Sequence, residues 1–307
     1  MIRLLRILLI LLFAPPLLAA VMGWLAAPNF LHPMRRPLTP DLVREADAAF
    51  AHAGAHREDF SVAAPDGAIL YGWKVFPANP NASWVLLFHG VADNRVGVTG
   101  QAELLLRAGY SVVMMDARAH GESGGAEATY GWLERNDTRA IVDALETTEH
   151  PAHLFALGES MGAGIALQSA AVEPRIEAVV AEAPFASLRE ASYDYAGLQE
   201  YPLLGKTLFA PGAWVMLYRG ERLAGFPASG VSPEAAVASR AFPVLLICGT
   251  ADTTLPCRHS ERIYGAARGA KSLWKVPGAF HTAALGFAPE EFRRRVLGFY
   301  AEPEANR

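Results

Sequence analysis

The chain has no run of lysine and arginine longer than Arg293-Arg294-Arg295, no internal repeat, no low-complexity stretch and only two cysteines, Cys248 and Cys257. Without a basic stripe, and with a net charge of -4, it offers nothing for a phosphate backbone to bind, so nucleic acid is not an expected partner. The lack of repeats and biased tracts excludes a solenoid or a disordered chain. Two cysteines are compatible with a reducing or an oxidising compartment. Charge is also missing from residues 7–31, a stretch long enough to cross a bilayer core as a helix.

That apolar stretch lacks a clean small-x-small cleavage site, because Ala20 has Leu18 and Ala27 has Leu25 two positions before it. An uncleaved membrane anchor over residues 1–33 is therefore expected, with Pro15 and Pro16 kinking it. Arg3 and Arg6 precede the segment, and Arg35 and Arg36 follow it and nearly balance them. The expected orientation keeps the amino terminus inside and exports the large domain to the periplasmic or extracytoplasmic side.

What remains is rich enough, at 52% hydrophobic residues, to bury a sizeable core. Residues 34–56 hold prolines and then a helical stretch, and read as a connector. Residues 57–63 and 69–76 flank the turn Pro65-Asp66-Gly67 as a hairpin. From residue 83 onward, short apolar runs (83–88, 110–115, 154–157, 176–183, 244–248 and 272–276) alternate with helical stretches. That alternation implies an α/β fold, a mostly parallel sheet covered by helices on both faces, over residues 57–307. Residues 185–241 break the rhythm. They carry eight aromatics and no buried strand, and read as a helical cap inserted in the sheet domain.

The chemistry centres on Gly158-Glu159-Ser160-Met161-Gly162, where the apolar run 154–157 stops and a helical pattern opens at once. This G-x-S-x-G is the spacing of a nucleophile elbow, a turn so tight that it lifts the serine hydroxyl clear of the sheet. With 27 glycines in the chain the pattern alone is weak, and Gly121-Glu122-Ser123-Gly124-Gly125 repeats it. That copy follows a polar loop and opens no helix, so context selects Ser160. A serine nucleophile needs a base and a group to orient it, in the chain order serine, acid, histidine. Asp252 and His281 follow Ser160 in that order, each just past an apolar run. Glu182, at the end of another run, is a rival acid. His89 is read as a brace for its loop, and His259 as structural. For the oxyanion, the amide of Met161 after the serine and that of Val91 in His89-Gly90-Val91 are the expected donors.

Leu87-Phe88-His89-Gly90, the stretch from Asp116 to Ser123, the elbow, Asp252-Thr253-Thr254-Leu255-Pro256 and Gly278-Ala279-Phe280-His281 together resemble the serine α/β-hydrolase superfamily. Within it they are similar to the membrane-anchored Bem46-like and ABHD-type hydrolases and the serine aminopeptidase-like domain. The resemblance implies an α/β-hydrolase fold and makes the Asp116 to Ser123 stretch a structural loop. Two departures stand out. The oxyanion loop reads His89-Gly90-Val91-Ala92-Asp93-Asn94-Arg95 rather than the His-Gly-Asn common in the branch, and the two cysteines, at 248 and 257, occupy positions where the family usually lacks them.

The expected activity is hydrolysis of an acyl ester or thioester by a Ser160-His281-Asp252 triad, without metal or cofactor, on a small-molecule or lipid-like acyl substrate. A serine peptidase or aminopeptidase and a non-catalytic membrane-tethered binding protein are the alternatives. Tyr193, Tyr195, Phe209 and Trp214 are expected to roof the crevice from the cap. Oligomeric state is not legible. Cys248 and Cys257 bracket the acid loop, either as a disulfide or as two buried thiols.

Overall fold

The structure, a computed structural model, describes residues 2–305. Met1 and residues 306–307, at the outer ends of the expected anchor and hydrolase units, lie outside the described residues. In chain order the chain forms helices α1 (Ile2–Leu31) and α2 (Pro40–His52), strands β1 (His56–Ala63), β2 (Ile69–Phe76) and β3 (Ser83–Phe88), then α3 (Thr99–Arg107) and β4 (Ser111–Met115). Next come α4 (Glu134–Thr148), β5 (His153–Glu159), α5 (Met161–Val172) and β6 (Ile176–Glu182). The cap follows as α6 (Leu188–Ala196), α7 (Pro202–Lys206), α8 (Ala210–Ala224) and α9 (Pro233–Ser239). The chain closes with β7 (Val244–Gly249), α10 (Arg258–Ala266), β8 (Lys271–Val276), α11 (Ala284–Phe287) and α12 (Pro289–Ala305). A 3-10 turn, Arg95–Val98, leads directly into α3.

The eight strands form one sheet in the order β1-β2-β4-β3-β5-β6-β7-β8. Strand β2 runs antiparallel to both its neighbours, β1 and β4, and the other pairs are parallel. Side chains alternate along each strand, so the sheet has two apolar faces. Val85, Leu87, Val112, Met114, Phe155 and Leu157 pack on one side with α3 and α12. Trp84, Leu86, Val113, Leu154 and Ala156 pack on the other with α4 and α5. Helix α5 is buried along its length from Met161 to Ala170, which explains why it is apolar on every side.

The expected connector contributes to this core. Thr39 caps α2, and Ala46 and Phe50 are buried, the Phe50 ring standing edge-on to Trp73 at 6.2 Å. Helix α1 continues through Pro15, Pro16 and Pro28. It is the one helix among the described residues long and apolar enough to cross a membrane. Its far end is not free: Ala27 and Leu31 are buried, and Leu31 joins Phe185, Leu188, Leu217 and Phe226 in the small apolar core of the cap.

Candidate active site

The site gathers at the carboxyl ends of the central strands, where an open parallel sheet leaves a crevice. Ser160 sits between β5 and α5 with φ 53° and ψ -115°, a conformation that a non-glycine residue holds only when its surroundings impose it. They do so here. The Ser160 amide donates to Glu182 O at 2.9 Å, and its carbonyl accepts from Gly164 N at 3.2 Å. A Cβ at Gly158 would run into the backbone of Gly162, and one at Gly162 into the carbonyls of Phe88 and His89. Both glycines of the motif are therefore required by close packing.

His281 Nε2 lies 2.9 Å from Ser160 Oγ, and His281 Nδ1 lies 2.7 Å from Asp252 Oδ2. Asp252 is buried, and its other oxygen accepts from the amides of Thr254 at 2.8 Å and Leu255 at 2.9 Å. A row of this kind lets the imidazole draw the hydroxyl proton while the carboxylate steadies the resulting cation. Glu182, the rival acid, takes another part. Its Oε1 accepts from Ala284 N at 2.8 Å and its Oε2 has no hydrogen-bond partner. Burial pushes the Glu182 carboxyl up to about 7, and the nearby Asp252 adds to the rise. Glu159 is also raised well above the usual range, chiefly by burial and then by Glu182 and Asp93, and accepts from Gln101.

Met161 is the first residue of α5, where helical amides lack intrahelical partners and favour negative charge. Gly90 lies against the serine: a Cβ there would be 3.7 Å from Ser160 Cβ. Val91 and Met161 line the same cavity as Ser160. His89 is buried and inside the adjoining loop. Its Nδ1 bonds Gly90 O at 2.7 Å, its Nε2 accepts from Ala117 N at 3.0 Å, and burial holds its pKa down. Ser123 is also consumed by structure: its hydroxyl donates to Asp116 O at 2.7 Å and accepts from Tyr71 N at 2.9 Å. Asp116 in turn accepts from the amides of Arg95 and Glu122. His259 is buried between Ala186 N at 3.2 Å and Asp194 at 2.6 Å, a cap-to-domain tie with no supporting signal in the sequence.

The cavity measures about 990 Å³, and among the described residues no charged side chain lines it. Of the four aromatics expected to roof it, Tyr195 and Phe209 do so. Tyr193 and Trp214 do not line it. The indole Nε1 of Trp214 donates to the Tyr193 hydroxyl at 2.8 Å, and Trp214 is exposed. A helical period puts some cap side chains on the far face, and which ones is decided by how α6 and α8 rotate against each other. Sequence reasoning missed the opposite wall. Ala14, Leu18, Met22, Ala26 and Phe30 of α1 all line the cavity. Cys248 and Cys257 are joined as a disulfide with Cα atoms 5.4 Å apart, closing the loop that carries Asp252.

Comparison with known proteins agrees with this architecture. The family model described as serine aminopeptidase, S33, matches residues 79–218. The uncharacterised protein YqkD of Bacillus subtilis is 30% identical over 244 residues, covering 78% of each chain. Lysophosphatidylserine lipase ABHD12 of Danio rerio is 26% identical over 287 residues, 84% of this chain and 70% of the relative. Among solved structures, the esterase Pf2001 of Pyrococcus furiosus superposes with a TM-score of 0.68 at 25% identity, covering 89% of this chain and 99% of the other. With this sheet order, this elbow and these relatives, the chain belongs to the serine α/β-hydrolase superfamily, in its ABHD-type branch.

Proposed function

We propose that the protein is a membrane-held serine hydrolase that cleaves acyl esters or thioesters through an acyl-enzyme at Ser160. The observation that carries this reading is the hydrogen-bonded row from Ser160 through His281 to Asp252, opening into a large cavity without a charged wall. In this reading residues 1–33 anchor the enzyme and 34–56 link the anchor to the hydrolase unit, 57–307, with its cap, 185–241. The hydrolase unit lies on the exported side, where a disulfide persists.

His281 Nε2 takes the Ser160 proton as Oγ bonds to the acyl carbon. The amides of Met161 and Val91 hold the oxygen that turns negative, and two such donors account for several kcal/mol of transition-state stabilisation, about 3 each. As the tetrahedral species collapses, the bond to the leaving group breaks and His281 returns the proton to it. Water then repeats the sequence on the acyl-enzyme, with His281 again as base, and frees the acid and Ser160.

The uncharged lining favours an ester over the peptidase alternative, because an aminopeptidase must hold a cationic amino terminus and an acidic side chain is the usual means. A panel of p-nitrophenyl acyl esters and aminoacyl anilides tests this. The expected result is ester turnover with kcat/KM well above that for every anilide. Faster anilide cleavage would move the assignment to a peptidase, and a folded protein inert to both and to fluorophosphonate would leave a binding protein.

A further inference from the structure

An anchor that merely tethers an enzyme has no reason to fit its active site. Helix α1 is built into this one. It crosses α8 on small residues: Gly23 lies so close to Gly212 that a Cβ on it would collide with the Gly212 carbonyl, and a Cβ on Gly212 would come within 2.7 Å of Ala19 O. Such seams bring two backbones together where side chains would keep them apart. Further along, the Phe30 ring stacks on Tyr130 at 4.6 Å and its carbonyl accepts from the Tyr130 hydroxyl at 2.7 Å. Leu31 O accepts from Ala128 N at 2.8 Å, and Gly220 of α8 faces Phe30 and Leu31.

Held this way, α1 gives the cavity a complete side, and Leu18, Met22 and Ala26 share a lining with Ser160 and Met161. Leu18 and Met22 are 62% and 57% exposed, on a helix that also leaves Phe13, Leu17 and Leu25 uncovered but brings only its cavity-facing side to the serine. Exposed apolar area beside a reactive hydroxyl is suited to a flexible hydrocarbon chain lying along it.

We propose that α1 is the specificity wall of the acyl site: an acyl chain attached at Ser160 runs along Leu18, Met22 and Ala26, and the side chains at these positions set the length accepted. This rests on the hydrolase reading above. It makes the substrate an ester of a single flexible acyl chain with its polar part away from α1, and it predicts a gain of about fourfold in kcat/KM for each methylene that the wall covers.

The test uses the full-length protein in detergent micelles and p-nitrophenyl esters from acetate to laurate. Ala26→Trp should cut the octanoate-to-acetate ratio of kcat/KM at least tenfold, and Gly23→Leu, which forces α1 off α8, should flatten the length series. Leu17→Trp, the same bulk on a position that does not line the cavity, should leave the ratio as in the parent. The proposal is overturned by a ratio that Ala26→Trp does not move, or by a uniform loss across all lengths. If either occurs while Ser160→Ala still abolishes acetate turnover, the hydrolase reading survives and the role of α1 does not. Acetate turnover that persists in Ser160→Ala sinks both.

Discussion

Glu159 and Glu182 are partners in the register of β5 and β6, two carboxyls side by side at the strand ends beneath Ser160. Burial drives both toward the neutral form, Glu182 to about 7. A carboxyl whose folded value lies above its ordinary 4.5 keeps a proton that the unfolded chain has already lost. The contribution to stability is therefore full below about pH 4.5, declines as the pH rises to about 7, and is level beyond. Glu182→Gln should lack that decline and gain on the parent between pH 5 and pH 8, by at most about 3 kcal/mol. Urea midpoints at the two pH values measure it, and parallel curves for the two proteins would contradict the assignment.

In the proposed mechanism Asp252 and Glu182 take different parts. Asp252→Asn should lower kcat by several orders of magnitude, because the imidazole loses the acceptor that fixes its tautomer. Glu182→Gln should retain most activity, since its carboxyl holds Ala284 N and not the ring. Steady-state kinetics on one ester decide, and the reverse ranking would transfer the role of acid to Glu182.

A fluorophosphonate probe should label the protein once, at Ser160. Labelling should vanish in Ser160→Ala and persist in Ser123→Ala if that variant folds, because the Ser123 hydroxyl is buried and committed to Asp116 O. Peptide mapping of the labelled protein reports the site, and a label on Ser123 would reassign the nucleophile.

Denatured, unreduced protein should show no alkylatable thiol. Closing a loop across a sequence separation of 9 restrains the unfolded chain by about 3 kcal/mol on the loop-entropy account. Replacing both cysteines by serine should lower the melting temperature accordingly. It should also lower kcat more than it raises KM, since the loop it frees carries Asp252. Two titrated thiols in the parent would remove the bridge from consideration.

Much of this arrangement is legible in the sequence because it is local. The apolar runs at 69–76 and 83–88 coincide with β2 and β3, and the elbow, Asp252 and His281 each follow a strand, so position along the chain reports position above the sheet. Contacts between distant segments leave no such trace. Gly23 meets Gly212 across almost two hundred residues, and a helix apolar on all sides does not reveal which side is occupied. The same limit hid the pairing of Tyr193 with Trp214 and that of Asp194 with His259.

After α1 the chain is stapled at once: His32 Nδ1 bonds Ala126 O at 2.8 Å, and Arg35 reaches the carbonyls of Ser123 and Gly125. An anchor joined to its enzyme by a loose tether sweeps a hemisphere above the bilayer, with a reach set by linker length. In the proposed membrane-held enzyme, α1 has no loose tether to sweep with. On a membrane, the mouth of the site would keep one height and one tilt, and each enzyme would meet only the lipid passing beside its own footprint. Turnover would then follow the mole fraction of substrate in the surface, so that adding inert lipid slows the reaction even when the amount of substrate per volume is unchanged.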